Sequence, residues 1–280
     1  MTFHQRTALA TSALPTVRLI HTSDLHIGAS LDERGQAIEL AVLEAVVDSM
    51  TAARGDLLLV AGDFFDNNRV GRATVEKTNA VLDRLPPWSS LVVLPGNHDS
   101  FGPDSVYRRY RIGSPGRTVI LDDPAGRCVL FAQHRLRVWG RPTITHSENF
   151  RPLAGAPARQ PYQWNVVMAH GHFTGEASQC DPPRSSPISA GELRGAGADY
   201  IALGHWDLRA DVSSGGATAW YSGAPFHGWQ LGAVQDVLLG PGRQVRVTER
   251  PLSGPGEAAI GGRRSEETGR PAQVIGRTDR

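Results

Sequence analysis

Asp24 with His26, Asp63 with Asp66, Asn97 with His98, His170 with His172, and His205 with Asp207 form five small clusters of oxygen and imidazole donors. They sit in HTSDLHIG (21–28), AGDFFDN (61–67), PGNHD (95–99), MAHGH (168–172) and LGHWD (203–207). Carboxylates and imidazoles hold divalent transition metals, and two-metal hydrolysis needs several such groups converging from separate parts of a chain. Taken singly, an Asp-x-His is a solvated loop, a GNHD is a turn, and a histidine beside an apolar run is a satisfied core residue. All five clusters, however, end short apolar runs. That shared position makes coincidence a poor account.

Asp24 and His26, two apart on a turn, can reach one ion. Asp63 follows a glycine, which keeps the backbone thin where metals approach. Its two oxygens can bridge a pair of ions about 3.5–4 Å apart. Asn97 offers a neutral amide oxygen, and His170 and His205 offer imidazoles, with His172 as a second imidazole beside His170. The mixture suits manganese, iron or zinc better than calcium.

The runs that carry these groups are 17–20, 57–60, 91–94, 166–168 and 200–203. They lack polar alternation, which predicts strands buried on both faces in the middle of a layered α/β sheet. Helical spacing over 33–54 places Ile38, Val42, Ala45, Val46 and Met50 on one face, with Gly55 as the stop. A second helix over 72–85 buries Val75, Leu82 and Leu85 before Pro86-Pro87. Ser189 and Glu192 form a capping box for a third, running toward Gly197. Segments 118–121, 129–133 and 136–139 are short and separated by turn residues, predicting antiparallel strands of a second sheet, and 220–222, 234–239 and 245–247 continue that style. The expected fold class is therefore α/β, a sandwich of two sheets flanked by helices. Functional groups in α/β sheets collect beyond the carboxyl ends of the strands, where all five clusters lie.

At 280 residues, 40% hydrophobic and 20% charged, the chain can bury a sizeable core. A net charge of +1 calls for neither nucleic acid nor an anionic membrane. Lys77 is the only lysine among 29 basic residues, which reads as coding bias toward arginine. Cys128 and Cys180 lack metal-type spacing and read as reduced thiols, with a cytoplasmic location expected. No apolar run approaches the ~20 residues that span a bilayer. Residues 1–16 are expected to be a flexible leader, 17–252 the catalytic domain, and 253–280 a disordered Gly/Pro/Arg-rich tail.

The order of the clusters resembles the signature of the calcineurin-like metallophosphoesterase superfamily: D-x-H, GD-x-x-D, GNH-D/E, H and GH-x-H. The resemblance covers 17–252, and HTSDLHIG, GDFFD, LPGNHD and DYIALGH are most similar to the DNA-repair exonuclease branch, the nuclease subunit of the SbcCD type. It implies a four-layer metallophosphoesterase sandwich of two mixed sheets flanked by helices. It also implies one divalent ion on Asp24, His26 and Asp63 and a second on Asp63, Asn97, His170 and His205, manganese foremost with iron or zinc as alternatives. Water would attack phosphorus in line, His98 would protonate the leaving oxygen, and Asp66 would orient His98. The implied function is phosphodiester hydrolysis, nuclease or exonuclease in type, on a substrate that could be DNA, with an SMC-like ATPase as a possible partner.

One position departs from that signature. GH-x-H reads Gly204-His205-Trp206-Asp207, so a carboxylate stands where the first ion's last imidazole is expected. Asp207 either ligates, hardening the site toward manganese or magnesium, or points away. His172 is the alternative to His170. Tyr107, Arg108, Arg109, Tyr110 and Arg111 could clamp phosphate and stack a base or form a solvated helix face. The turn 221–225 resembles a family loop beside the site, and His227 and Trp229 could touch substrate or pack. Two further functions compete: a small-molecule phosphodiesterase or phosphatase on the same scaffold, and a metal-free interaction module.

Overall fold

Strands made of Leu, Val and Ile alternate with helices along the first half of the chain. The computed structural model describes residues 13–30, 38–145, 147–177, 184–227 and 230–253. In chain order the first elements are β1 (Val17–Thr22), α1 (Glu39–Ala53), β2 (Leu57–Ala61), α2 (Arg72–Leu82), β3 (Ser90–Leu94), the one-turn α3 (Val106–Arg109) and β4 (Thr118–Ile120). Next come β5 (Arg127–Phe131), β6 (Leu136–Gly140), β7 (Trp164–His170), β8 (His172–Phe173), β9 (Pro187–Ile188) and α4 (Ala190–Gly195). The remainder is β10 (Tyr200–Gly204), β11 (Ala210–Asp211), β12 (Thr218–Tyr221), β13 (Phe226–His227), β14 (Gln230–Leu231), β15 (Ala233–Gly240) and β16 (Gln244–Pro251).

Two six-stranded mixed sheets result, in the orders β16-β15-β1-β2-β3-β4 and β11-β12-β10-β7-β6-β5. The strands β1 to β4 run parallel, with β15 and β16 antiparallel at one side. In the second sheet β12, β10, β7 and β6 are parallel, and β11 and β5 are antiparallel edges. Alternate residues separate the layers. Leu19, Leu57, Leu59, Val92 and Leu94 face Leu136, Val138, Trp164, Val166, Met168 and Tyr200 in a core between the sheets. The other faces of β1, β2 and β3 pack Ile20, Leu58, Val60, Leu91 and Val93 under α1 and α2, while Val167, Ala169, Ile201 and Leu203 pack with Leu193 of α4. The layering is helices, sheet, sheet, helix, the mixed α/β architecture expected.

The five apolar runs are divided between the sheets rather than sharing one. β1, β2 and β3 lie in the first, and β7 and β10 in the second. Segment 118–121, expected in the second sheet, instead forms β4 and pairs parallel with β3 in the first. Segments 234–239 and 245–247 also join the first sheet, through β15 on β1. A strand covered on both faces has the same composition in either sheet, so pairing partners leave no local trace.

The helices keep their predicted faces but not their ends. Within α1, Val42, Ala45, Val46 and Met50 are buried. Its C-cap is Arg54, left-handed at φ 53°, one residue before the predicted Gly55. α2 stops at Leu82. The Ser189–Glu192 capping box is complete. Residues 1–12 and 254–280, hence nearly all of the expected leader and tail, lie outside the described residues, as does Cys180. Within the expected leader, the Pro15 carbonyl accepts a 2.8 Å hydrogen bond from the Trp164 indole. Cys128 is a free, exposed thiol. Among the described residues no helix is long and apolar enough to cross a membrane.

Candidate metal centre

The carboxyl ends of β1, β2 and β3 meet those of β7 and β10 at one edge of the sandwich. The approach is backbone against backbone: a Cβ on Gly204 would lie 1.9 Å from the Ala61 carbonyl oxygen. A Cβ on Gly62, at φ +95°, would lie 2.0 Å from His170 Nδ1. Only glycine fits there, which is the physical content of the glycines preceding Asp63 and His205. The loop after β1 lies along the loop after β2 through hydrogen bonds donated by the Asp24 amide to the Gly62 carbonyl and by the His26 amide to the Asp63 carbonyl, each 3.0 Å. Asp24, His26, Asp63 and His205 all have positive φ, at 54°, 49°, 51° and 107°. Non-glycine residues rarely hold that conformation, and it persists where surrounding structure over-determines it, as at functional sites.

Two groups of donor atoms stand within 4.8 Å of one another: Asp24 with Asp63 and His170, and His26 with Asp63 and His98. Asp63, 2% exposed, belongs to both and is the shared corner that a bridging carboxylate requires. His170 Nε2 lies 2.8 Å from Asn97 Oδ1 and 3.3 Å from Asp63 Oδ2, and His205 Nδ1 lies 3.2 Å from Asn97 Oδ1. Ligands about 2.1 Å from a common ion are separated by about 3 Å when they subtend a right angle, so Asp63, Asn97, His170 and His205 are spaced as one coordination set. The His170 Nδ1–H donates to the Ala61 carbonyl at 2.9 Å, fixing the tautomer and aiming Nε2 at the oxygens. His26 Nδ1 is buried without a hydrogen-bond partner. The donor set fits a pair of divalent ions.

The charges are consistent with groups arranged around cations. Burial alone would depress His170, but Asp63 and Asp24 outweigh it and raise the imidazole to about 10. His26 is likewise pulled down by burial, yet Asp66, Asp63 and Asp24 raise it to about 9. Asp24 is raised to about 6, chiefly by burial. Asp63 is driven well below the usual carboxylate range: burial works against this, but His170, His26 and His98 prevail. Protons on the imidazoles thus take the place that metal charge would fill.

The remaining predicted residues divide. His98 is at the mouth, its ring 4.5 Å from that of His26. Its Nδ1–H donates to the Asp66 backbone carbonyl at 2.8 Å, whereas the Asp66 carboxylate is 3.9 Å from Nδ1 and 3.6 Å from His26 Nδ1. Asp66 therefore holds His98 through its main chain. Asp207 is exposed and belongs to neither donor group. His172 is next to His205, ring centroids 6.2 Å apart, and outside both groups. Tyr107 donates to Asp99, Arg108 stacks on Phe101 at 4.1 Å, and Arg109 donates to the Asn68 carbonyl, while Arg108, Arg109 and Arg111 are exposed. In the 221–225 turn the Tyr221 hydroxyl donates to the Gly171 carbonyl at 2.6 Å, and Ser222 bonds Ser23 at 2.8 Å. The His227 side chain and Trp229 lie outside the described residues.

The sequence motifs assign no role to Asp99, the last residue of PGNHD. It is fully buried and accepts from the amides of Phe64 at 2.9 Å, Phe65 at 3.0 Å and Gly96 at 2.7 Å. One carboxylate thus ties the loop bearing Asp63 and Asp66 to the loop bearing Asn97 and His98. The available signal was an acidic residue closing the turn-forming PGNHD cluster.

Residues 17–207 match the family model for calcineurin-like phosphoesterases. The SbcD component of nuclease SbcCD from Escherichia coli O157:H7 is 26% identical over 248 residues, covering 75% of this chain and 60% of that protein. Its counterpart from Staphylococcus saprophyticus is 28% identical over 87 residues, covering 30% and 23%. The chain therefore spans less than two thirds of either curated relative. Among solved structures, purple acid phosphatase PPD1 of yellow lupin is similar at TM-score 0.55 and 11% identity, covering 85% of this chain and 52% of that one. A Thermus thermophilus protein is similar at TM-score 0.50 and 10% identity, covering 84% and 99%. These two likenesses concern the fold. With a model matching most of the chain and its donor set gathered at one edge of the sandwich, the protein belongs to the calcineurin-like phosphoesterase family, whose members are binuclear metal-dependent phosphoric ester hydrolases.

Proposed function

We propose that this protein is a phosphodiesterase of nuclease type, working with two manganese ions, with iron or zinc as the alternatives. The observation that carries the reading is Asp63 shared between two donor groups, one of which also holds His98 at the mouth. Asp24 and His26 would hold one ion with Asp63, and Asn97, His170 and His205 the other. Bound there, the ions would supply Lewis-acid charge to the phosphoryl oxygens and activate the attacking water. His98, with Nδ1–H fixed on the Asp66 carbonyl, keeps Nε2 for the leaving oxygen, and in its doubly protonated form it gives up the Nε2 proton there and is left as the neutral imidazole. The Asp99 carboxylate keeps the loops carrying these groups in register, so that positioning is built in before substrate arrives. The alignment with two SbcCD nuclease components supports a nucleic-acid diester over a monoester.

The test is hydrolysis by manganese-loaded protein of an aryl phosphodiester, an aryl phosphomonoester, and linear double- and single-stranded DNA. Cleavage of the diester and of DNA is expected. Turnover of the monoester alone would overturn the nuclease reading.

A further inference from the structure

His172 is built into the wall of the site without joining the donor groups. Its neighbour Trp206 is fixed by a parallel stack on Tyr221, 4.4 Å between centroids at 11°. The Trp206 indole donates to His172 Nδ1 at 3.1 Å. An indole N–H can only donate, so Nδ1 must accept and the imidazole proton sits on Nε2. The main chain is held too, the His172 amide donating to the Ser186 carbonyl at 3.0 Å. Nε2–H has no hydrogen-bond partner among the described residues, and the side chain is half-buried. His172 belongs to neither donor group, and its ring centroid is 6.2 Å from that of His205, which is itself 5.2 Å from that of His170. Arg184 is exposed and lies two residues before Ser186, the residue whose carbonyl accepts from the His172 amide, and its charge bears on the His172 ring.

We propose that His172 and Arg184 form a subsite for a second phosphate of the substrate, one unit along the chain from the phosphate that is cleaved. A neutral imidazole N–H beside a guanidinium is suited to a non-reacting phosphate oxygen, since neither group competes for metal. Trp206 is the positioning residue: it fixes which nitrogen carries the proton. The inference rests on the phosphodiesterase reading and narrows its substrates to chains with at least two phosphates.

The experiment is calorimetric binding of phosphorothioate-linked thymidine dinucleotide and trinucleotide, with one and two linkages, to manganese-loaded protein. The parent is expected to bind the trinucleotide about tenfold more tightly than the dinucleotide, the scale of one charge-assisted hydrogen bond. His172→Ala should erase that preference and leave dinucleotide affinity and the two-ion content unchanged. His172→Gln, which restores a donor, should recover most of it. Trp206→Phe, which keeps the stack but frees the tautomer, should fall between. Arg184→Ala should reduce the preference without altering metal content. A parent with no preference for the trinucleotide would overturn the proposal, as would equal losses on both ligands in His172→Ala. Loss of an ion in that variant would make His172 a ligand and overturn it as well. Normal binding preference with no DNA hydrolysis would instead contradict the proposed activity alone.

Discussion

The turns after β2 and after β10 carry similar motifs and end differently. Gly62-Asp63-Phe64-Phe65-Asp66 turns inward: Asp63 is 2% exposed, both phenylalanines are fully buried, and their amides are pinned by Asp99. Gly204-His205-Trp206-Asp207 turns in only at its first half. The His205 amide is drawn to Asp24 at 3.0 Å and Trp206 stacks on Tyr221, while Asp207 is exposed and its carbonyl accepts from Ala224 at 3.0 Å. Metal-type residues at strand ends thus differ in how deeply they are set. What separates the two turns is a second layer of contacts that leaves the side chain no other place to go.

That contrast can be broken at several points. The largest effect belongs to Asp63: Asp63→Ala should reduce phosphoesterase activity to background, because both donor groups lose their shared member. His98→Ala should keep its metal and lose about 10²- to 10⁴-fold in turnover, less for substrates with good leaving groups such as nitrophenolate. Equal losses for good and poor leaving groups would remove His98 as the acid. Asp99→Ala strands three buried amides and the Tyr107 hydroxyl, and should lower unfolding stability by about 3 kcal/mol in denaturant melts. Asp207→Ala should change least, retaining two ions and activity within about twofold, since exposed substitutions away from such features are nearly neutral. A drop toward one ion per chain, rescued by high manganese, would show that the Asp207 carboxylate swings in to ligate.

Proton uptake sharpens the same contrast. His26 and His170 are raised to about 9 and about 10 in the metal-free protein. Their contribution to apo-protein stability is complete below the unfolded histidine value near 6.5 and is lost as pH rises through 9 to 10. Metal must displace those protons, so manganese loading at pH 7 to 8 should release them, and affinity should weaken as pH falls. Calorimetry in buffers of different ionisation enthalpy measures the count. Loading without proton release would mean that these imidazoles are not ligands.

The five clusters, their strand-end positions and the Ser189 capping box were legible because each depends on near neighbours. The division of β1, β2 and β3 from β7 and β10 was not, since a run buried on both faces reads alike in either sheet. Arg54 took the left-handed cap expected of Gly55 because helix ends are set within a residue or two by local packing. Asp99 was hidden for a different reason: its four donors come from three separate stretches, Phe64 and Phe65, Gly96, and Tyr107, two of which it meets only on folding. The same holds for His98, whose partner is the Asp66 carbonyl where the motif pointed to the carboxylate.

Metal content after dialysis against dilute manganese tests the central claim most directly. The parent should retain two ions per chain, and Asp63→Ala, confirmed as folded by its circular dichroism, should retain neither. A stoichiometric pair still bound in Asp63→Ala would contradict a site built around that carboxylate.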